Sequence, residues 1–499
     1  MPPKYVFLEK RQKTAEEFLF FNGGTKGMSN LLNSSAGQRI LSLLDENSFV
    51  EVGAGVRARS TDFNEKPSDA PGDGVITGYG LIDGRLVYVY SQDAGSLGGS
   101  VGEMHAKKIV NIYRLAMKTG YPVIGILDST GMRISESTDA LNALGRIMGI
   151  MSKASGVIPQ ITVVSGNAGG GMSLLTELSD FVFMEDKGHL FLNPPDAVAG
   201  NYEEKCDTSG ADYKAAAGSV DKVASSSEIW GAVRSLMSFL PDNCEDESFL
   251  SDTADDLNRD SADLAGLSKD TYQAILRISD DGAFFETKPA YGINMVTGLI
   301  RLNGATVGVI ANRAEDITDK DKKFKDVLTV PGVYKAVKLV DFCDAFNIPI
   351  LTLTATRGFC NCENSEKNGS LAAAKLIRAF SGATVPKVNV MVGDSYTSAA
   401  IVMNSKAVGA DYVYAWKDIK TGALDAKHAA EILCDGDSAA ISEKEKEFAE
   451  KQDSVLSAAA RGYVDTVIEP AETRKYVIGA FEMLYGKREL SPDRKHSTV

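Results

Sequence analysis

Histidine and cysteine are scarce in this chain. Its 499 residues hold 4 histidines and 6 cysteines. His105, His189, His428 and His496 lie far apart, and none is paired at metal-ligand spacing, which argues against a metal centre. Cys206, Cys244, Cys343, Cys360, Cys362 and Cys434 include no CxxC pair, so zinc-ribbon and thioredoxin chemistry are excluded. Cys360-Asn361-Cys362 is the one close pair, and two thiols alone do not build a metal site. Scattered thiols suit a reducing compartment. There is no P-loop and no GxGxxG, so nucleotide binding by those routes fails. No run approaches the ~20 apolar residues of a membrane helix, so direct membrane insertion is not expected. The net charge of −14 removes any general basic field for nucleic acid. Residues 1–29 mix Lys4, Glu9, Lys10, Arg11, Lys13, Glu16 and Glu17, which fits neither a secretory signal nor a mitochondrial presequence. They read as a polar N-terminal extension, and the chain reads as cytoplasmic.

Glycine, by contrast, is plentiful at 47 residues, and the apolar fraction is 44%. That is the composition of a globular protein with a large core, and the length predicts about two to four domains. The most informative pattern is internal. Pro122, Gly131, Pro159 and Gly166 recur as Pro349, Gly358, Pro386 and Gly393, all at an offset of 227. Thr77-Gly78 and Gly84 recur as Thr297-Gly298 and Gly304 at an offset of 220. Several matches at one register predict two homologous domains rather than a short-period solenoid. The expected division is 30–241 and 269–499 with an acidic linker at 242–268. From Asp242 to Asp263 nine acids face one base, Arg259, so more than half of the net charge lies in a segment that reads as a solvated connection.

Each half alternates short apolar strands with amphipathic helices, which predicts an α/β fold with parallel pairing. Helix Glu103 to Thr119 is expected to stop at Gly120, and its counterpart Tyr334 to Phe346 at Asn347. After the strand Ile161–Ser165 comes Gly166-Asn167-Ala168-Gly169-Gly170-Gly171-Met172, then a helix. Glycines at a strand-to-helix turn expose backbone N–H groups at the positive end of a helix, the material of an oxyanion hole. The matching turn is Gly393-Asp394-Ser395-Tyr396-Thr397-Ser398-Ala399, where Thr397-Ser398 replaces the glycine pair. That exchange preserves the donors only if the turn does not need φ > 0. His105, near a helix start, reads as a structural hydrogen-bonder rather than a catalyst.

Tyr90-Ser91-Gln92-Asp93, Gly98-Gly99-Ser100 and His105-Ala106-Lys107-Lys108-Ile109 resemble the FSQD, GGS and HAxKI signature of the biotin-dependent acyl-CoA carboxyltransferase family. Asp128-Ser129-Thr130-Gly131-Met132-Arg133-Ile134 is similar to its DSGGARI, and Ser155-Gly156-Val157-Ile158-Pro159-Gln160 to its SGVIPQ. In the second half the matching runs are Phe342 to Pro349, Ala383 to Val388, Ala460 to Asp465 and Arg494-Lys495-His496. The family includes β subunits of propionyl-CoA carboxylase and α subunits of methylmalonyl- and glutaconyl-CoA decarboxylases.

The resemblance implies two tandem crotonase-like domains, each a spiral of ββα units. It implies a site where the first domain of one subunit meets the second domain of a neighbour, in a homodimer or a trimer of dimers. CoA would be bound through Gly98, Gly99, Ser100, Gly131 and Arg133. Gly170 and Gly171 would offer N–H groups to the thioester oxygen. Thr397 and Ser398 would serve the ureido oxygen of biotin, with Gly358, Phe359, Ala399 and Ile401 on the biotin side. The reaction so implied moves a carboxyl group between carboxybiotin and a short-chain acyl-CoA, with no catalytic His or Cys. Biotin would arrive on a separate biotin carboxyl carrier protein. The further partners would be a biotin carboxylase, or the membrane subunits of a sodium-pumping decarboxylase.

The sequence departs from the family at Thr397-Ser398, where relatives carry Gly-Gly or Gly-Ser, and at Arg357-Gly358-Phe359, where they carry a PGF-like loop. Ile401 stands where carboxylases of short substrates often have Asp, and Cys206 to Ala217 replaces an EELGG-type loop. A non-catalytic scaffold subunit is therefore a competing reading. A crotonase-type hydratase would need a Glu after the oxyanion turn, and Glu177 is poorly spaced for it.

Overall fold

The computed structural model describes residues 30–61, 70, 72–198, 207–246, 250–267, 270–319, 322–435, 437–489 and 498. The expected extension 1–29, Cys206 and the Arg494-Lys495-His496 motif lie outside the described residues. By internal packing the chain divides into two units. The first is built on residues up to Tyr213 with Val223–Met237, the second on Lys214–Lys222 with Ser238 onward.

The first unit centres on a twisted sheet whose neighbours run Val50–Glu51, Val75–Ile82, Arg85–Gln92, Val123–Ser129, Gln160–Gly169 and Phe181–Glu185, with His189–Phe191 also beside Gln160–Gly169. The first three pair antiparallel and the later ones parallel. The second unit repeats this plan. Phe284–Thr287, Met295–Leu302 and Ala305–Asn312 pair antiparallel, then Ile350–Thr354, Lys387–Met391, Tyr412–Trp416 and Thr466–Ile468 follow in parallel. A hairpin followed by strand, helix, strand crossovers is the ββα unit that the family resemblance implies. The offsets survive in three dimensions. Val123 N–H donates to the Pro159 carbonyl, and Ile350 N–H to that of Pro386.

Parallel strands covered on both faces read as continuous apolar runs, and Val123–Ser129 and Ile350–Thr354 are buried throughout. Helix Glu103–Thr119 stops at Gly120, which is left-handed at φ +72°. Its counterpart spans Val330–Ala345, four residues earlier at its start than the periodicity predicts. The reason is an N-cap: the Thr329 hydroxyl accepts the Gly332 N–H at 3.3 Å, and Pro331 sits in the first turn, where its missing donor costs nothing. Asn347 follows in the left-handed region at φ +55°.

Part of the acidic segment is folded onto the second unit. Asp255, its side chain 7% exposed, pairs with Arg259 at 2.9 Å and with the fully buried Arg474 at 3.4 Å. Arg474 also holds Asp280 at 2.7 Å. Leu264 belongs to the apolar core of this unit. Two acids, Asp255 of this segment and Asp280 beyond it, thus answer a buried cation rather than solvent.

Candidate active site

In the first unit, strand Gln160–Gly169 ends at Gly170, which is left-handed at φ +58°. A Cβ at Gly170 would meet nothing within 4 Å, so its requirement for glycine is conformational, not spatial. Gly171 returns to helical angles at φ −60° and opens the short helix Met172–Glu177. The two expected donors are not equivalent. The Gly170 N–H donates to the Phe191 carbonyl at 2.9 Å and is used inside the fold. Among the described residues the Gly171 and Met172 amides have no acceptor. The free pair is therefore displaced by one residue from Gly170-Gly171 to Gly171-Met172. The signal for Met172 was its place as the first helical residue, since first-turn amides have no intrahelical partner.

Gly98 and Gly99 are left-handed at φ +64° and +63°. A Cβ on Gly99 would lie 2.1 Å from the Asp128 carbonyl oxygen, so the loop 97–100 touches the strand end directly. The Gly98 carbonyl accepts the Thr130 N–H at 3.1 Å, and the Gly131 carbonyl accepts the Val101 N–H at 2.8 Å. The structure thus brings Gly98, Gly99, Ser100 and Gly131 together.

Arg133 joins them differently from the expectation. Its guanidinium is buried among Asp73, Glu136 at 2.8 Å, the Ser100 hydroxyl at 3.2 Å and the Ser100 carbonyl at 2.7 Å. With those bonds made, it clamps the loop rather than presenting a cation to a ligand. Gly102 makes room, since a Cβ there would strike both Arg133 and Glu136.

His105 extends the same network. It is fully buried, with Nδ1 2.9 Å from the Asp73 carbonyl and Nε2 3.1 Å from the Gln92 side-chain nitrogen. The ring is neutral: Nδ1–H donates and Nε2 accepts. Burial, reinforced by Arg133, pushes its pKa down to about 3. Gln92 accepts the Asp128 N–H at 3.2 Å, and Asp128 holds Arg39 at 2.9 Å. His105 is a structural hydrogen-bonder, as the sequence suggested.

In the second unit, the turn equivalent to Gly170 is Thr397. It is left-handed at φ +63°. The turn therefore does need φ > 0, and a β-branched residue adopts it. That conformation costs roughly 1–2 kcal/mol for an L-residue. The Thr397 hydroxyl accepts the Ala399 N–H at 3.3 Å, a local bond that offsets part of the strain. The Thr397 and Ser398 amides have no acceptor among the described residues. Ala399 is buried, and Ile401 lies outward, 47% exposed, at the position matching Leu174 at 43%.

Gly358–Phe359 pairs in parallel with Val327–Leu328, and the Tyr396 N–H donates to the Thr356 carbonyl at 2.8 Å. So Gly358, Phe359, Thr397, Ser398 and Ala399 occupy adjoining turns. Gly358 differs from its counterpart Gly131 at φ +104°: it is not left-handed, and a Cβ would meet nothing within 4 Å. A cavity of about 470 Å³ in the first unit is lined by Lys107, Lys108, Arg114, Asn142 and Arg146, away from the glycine turns.

The duplication reaches buried polar groups that the sequence reading passed over. Lys108 donates to the Val75 carbonyl at 2.5 Å and Lys335 to that of Met295 at 2.9 Å. Asn312 accepts the Ala355 N–H at 2.9 Å, as Gln92 does for Asp128. Burial pushes both lysines down to about 8.

Residues 33–499 match the carboxyl transferase domain family. The chain is 38% identical to the methylmalonyl-CoA decarboxylase α subunit of Veillonella parvula, over 93% of this chain and 92% of that protein. It is 38% identical to the propionyl-CoA carboxylase β chain of Roseobacter denitrificans, over 93% of each. The solved transcarboxylase 12S structure, a hexamer with hydrolysed methylmalonyl-coenzyme A bound, superposes with a TM-score of 0.87 at 33% identity, covering 100% of this chain and 98% of that one. The chain belongs to the carboxyl transferase domain family.

Proposed function

We propose that this member of the carboxyl transferase family moves a carboxyl group between biotin on a separate carrier and a short-chain acyl-CoA of the acetyl-, propionyl- or methylmalonyl-CoA class. The observation that carries the reading is the duplicated turn. Gly170 and Thr397 share one left-handed conformation at equivalent positions, each followed by an amide with no acceptor in its own unit.

On the CoA side, the Gly171 and Met172 amides stabilise negative charge on the thioester oxygen as the α-proton leaves. Such a donor typically contributes about 10²–10³ in rate. Gly98, Gly99, Ser100 and Gly131 wall that side, and Arg133 positions them. On the other side, the Thr397 and Ser398 amides would stabilise negative charge on the ureido oxygen of biotin, next to Gly358, Phe359 and Ala399. Biotin, when bound, supplies the carboxyl-carrying chemistry. Ile401 gives the acyl pocket an apolar edge. No histidine is required, which agrees with His105 being buried and neutral.

The same site run in reverse serves an acyl-CoA decarboxylase α subunit, a reading supported by the likeness to the Veillonella parvula protein as the forward one is by the likeness to the Roseobacter denitrificans protein. The partners that fit are a biotin carboxyl carrier protein, with a biotin carboxylase or membrane decarboxylase subunits setting the direction. Assembly as a homodimer or trimer of dimers would bring first and second domains of different subunits together. A cytoplasmic location fits the five cysteines that stand outside any disulfide among the described residues.

The test is carboxyl exchange by the purified chain, with methylmalonyl-CoA or malonyl-CoA and either free biotin or a biotinylated carrier. Transfer is expected. No exchange despite intact CoA binding would overturn the reading and favour the scaffold, and activity gained on Thr397→Gly would locate the defect in the second turn.

A further inference from the structure

Beside Gly358–Phe359 lie two thiols that the carboxyl-transfer reading leaves without a role. The Cys362 N–H donates to the Cys360 carbonyl at 3.0 Å, closing a three-residue turn over Asn361. Such a turn keeps the flanking Cα atoms inside the roughly 4.4–6.8 Å span of a disulfide. The Cys360 thiol lies within hydrogen-bond reach of Cys362. Cys362 also stands at the N-cap position of the 20-residue helix Glu363–Gly382, its Sγ 3.4 Å from the Ser365 hydroxyl.

We propose that Cys360 and Cys362 are a reversible oxidation site, a dithiol that hydrogen peroxide converts to an intramolecular disulfide.

The two thiols differ as attacker and resolver should. Cys362 is half-buried and Cys360 buried. The Cys360 and Ser365 hydrogen bonds hold the Cys362 thiol below the ordinary cysteine range, and the helix N-terminus favours the same anion. Cys343 is fully buried and its thiol is pushed the other way by burial, so it is inert.

In the first step the Cys362 thiolate attacks one peroxide oxygen. An S–O bond forms, the O–O bond breaks, and the departing hydroxide takes up the thiol proton as water. In the second step the Cys360 sulfur attacks the sulfenic sulfur. The S–S bond forms, the S–O bond breaks, and a second water leaves with the Cys360 proton. Two thiols lose two electrons and one peroxide becomes two waters. The disulfide removes the Cys362 contact to Ser365 at the helix start, next to Gly358–Phe359.

The experiment uses the full chain, reduced, then treated with hydrogen peroxide, alkylated and digested with trypsin. Cleavage after Arg357 and Lys367 puts both thiols on one peptide. The expected result is loss of two hydrogens from that peptide, with no alkylation. Dithiothreitol should reverse it, and it should proceed at least about tenfold faster than oxidation of Cys244 or Cys434. In Cys360→Ser, Cys362 should accumulate as a sulfenic acid trapped by dimedone. If the wild-type peptide keeps both alkyl groups while Cys244 or Cys434 oxidises, the proposal is wrong. It is equally overturned if the peptide gains oxygens without losing hydrogens. Both outcomes are read on the wild type, so a Cys360→Ser chain that fails to fold leaves the decision intact.

Discussion

Thr397 carries a backbone conformation that its residue type disfavours, at the position where the first half uses Gly170. Thr397→Gly relieves the left-handed strain of roughly 1–2 kcal/mol. It gives up a 3.3 Å hydrogen bond and adds about 0.5–1 kcal/mol of glycine entropy cost. The expected change in urea unfolding is therefore close to zero. Gly170→Ala has no such offset. It should cost about 1–2 kcal/mol although the space beside Gly170 is open. A second prediction concerns His105, whose folded pKa of about 3 lies below its unfolded value near 6.5. Between those values the unfolded chain binds more protons, so stability falls as pH drops from about 6.5 towards 3. His105→Gln should flatten that slope in urea midpoints measured from pH 7 to 4, and an unchanged slope would assign the acid sensitivity elsewhere.

At the scale of elements, the loop 97–100 and the strand end at Asp128 touch without side chains between them. Gly99→Ala puts a Cβ against the Asp128 carbonyl, and such overpacking should cost about 3 kcal/mol. Gly145→Ala, with nothing within 4 Å and a helical setting, should stabilise by up to about 1 kcal/mol. The matched helices Glu103–Thr119 and Val330–Ala345 each bury a lysine, Lys108 and Lys335, with folded pKa near 8 against an ordinary 10.5. The unfolded chain holds those protons longer, so both lysines make stability rise with pH between about 8 and 10.5. Lys335→Met should reduce the rise in unfolding midpoint across that window. An equal rise in the variant would show that Lys335 is not its source.

Across the whole molecule, the duplication was legible because prolines and glycines mark strand starts and turns, and those positions repeat at 227 and 220. Parallel pairing was legible in the alternation of short apolar strands and amphipathic helices. What the sequence concealed depended on which way a backbone group points. That the Gly170 amide goes to Phe191, and that Arg133 is consumed by Asp73 and Ser100 as well as by the nearby Glu136, follows mostly from partners distant in sequence. The start of helix Val330–Ala345 was missed for a nearer reason, the Thr329 cap and Pro331 preceding the apolar periodicity. The acidic segment was read as wholly solvated because its partner, Arg474, lies more than two hundred residues on.

The central claim is that the Gly171 amide, rather than space or side chains, does the work of the first turn. Its φ of −60° is compatible with proline, so Gly171→Pro removes the N–H while keeping the backbone, and Gly171→Ala keeps both. A Cβ at this position meets the flexible end of Leu144 in either variant, which makes the alanine chain the control for that contact. The measurement is kcat for carboxyl transfer from methylmalonyl-CoA in the two variants, each first shown to fold. The account predicts that Gly171→Pro falls about 10²–10³-fold below Gly171→Ala. Equal rates in the two would contradict it.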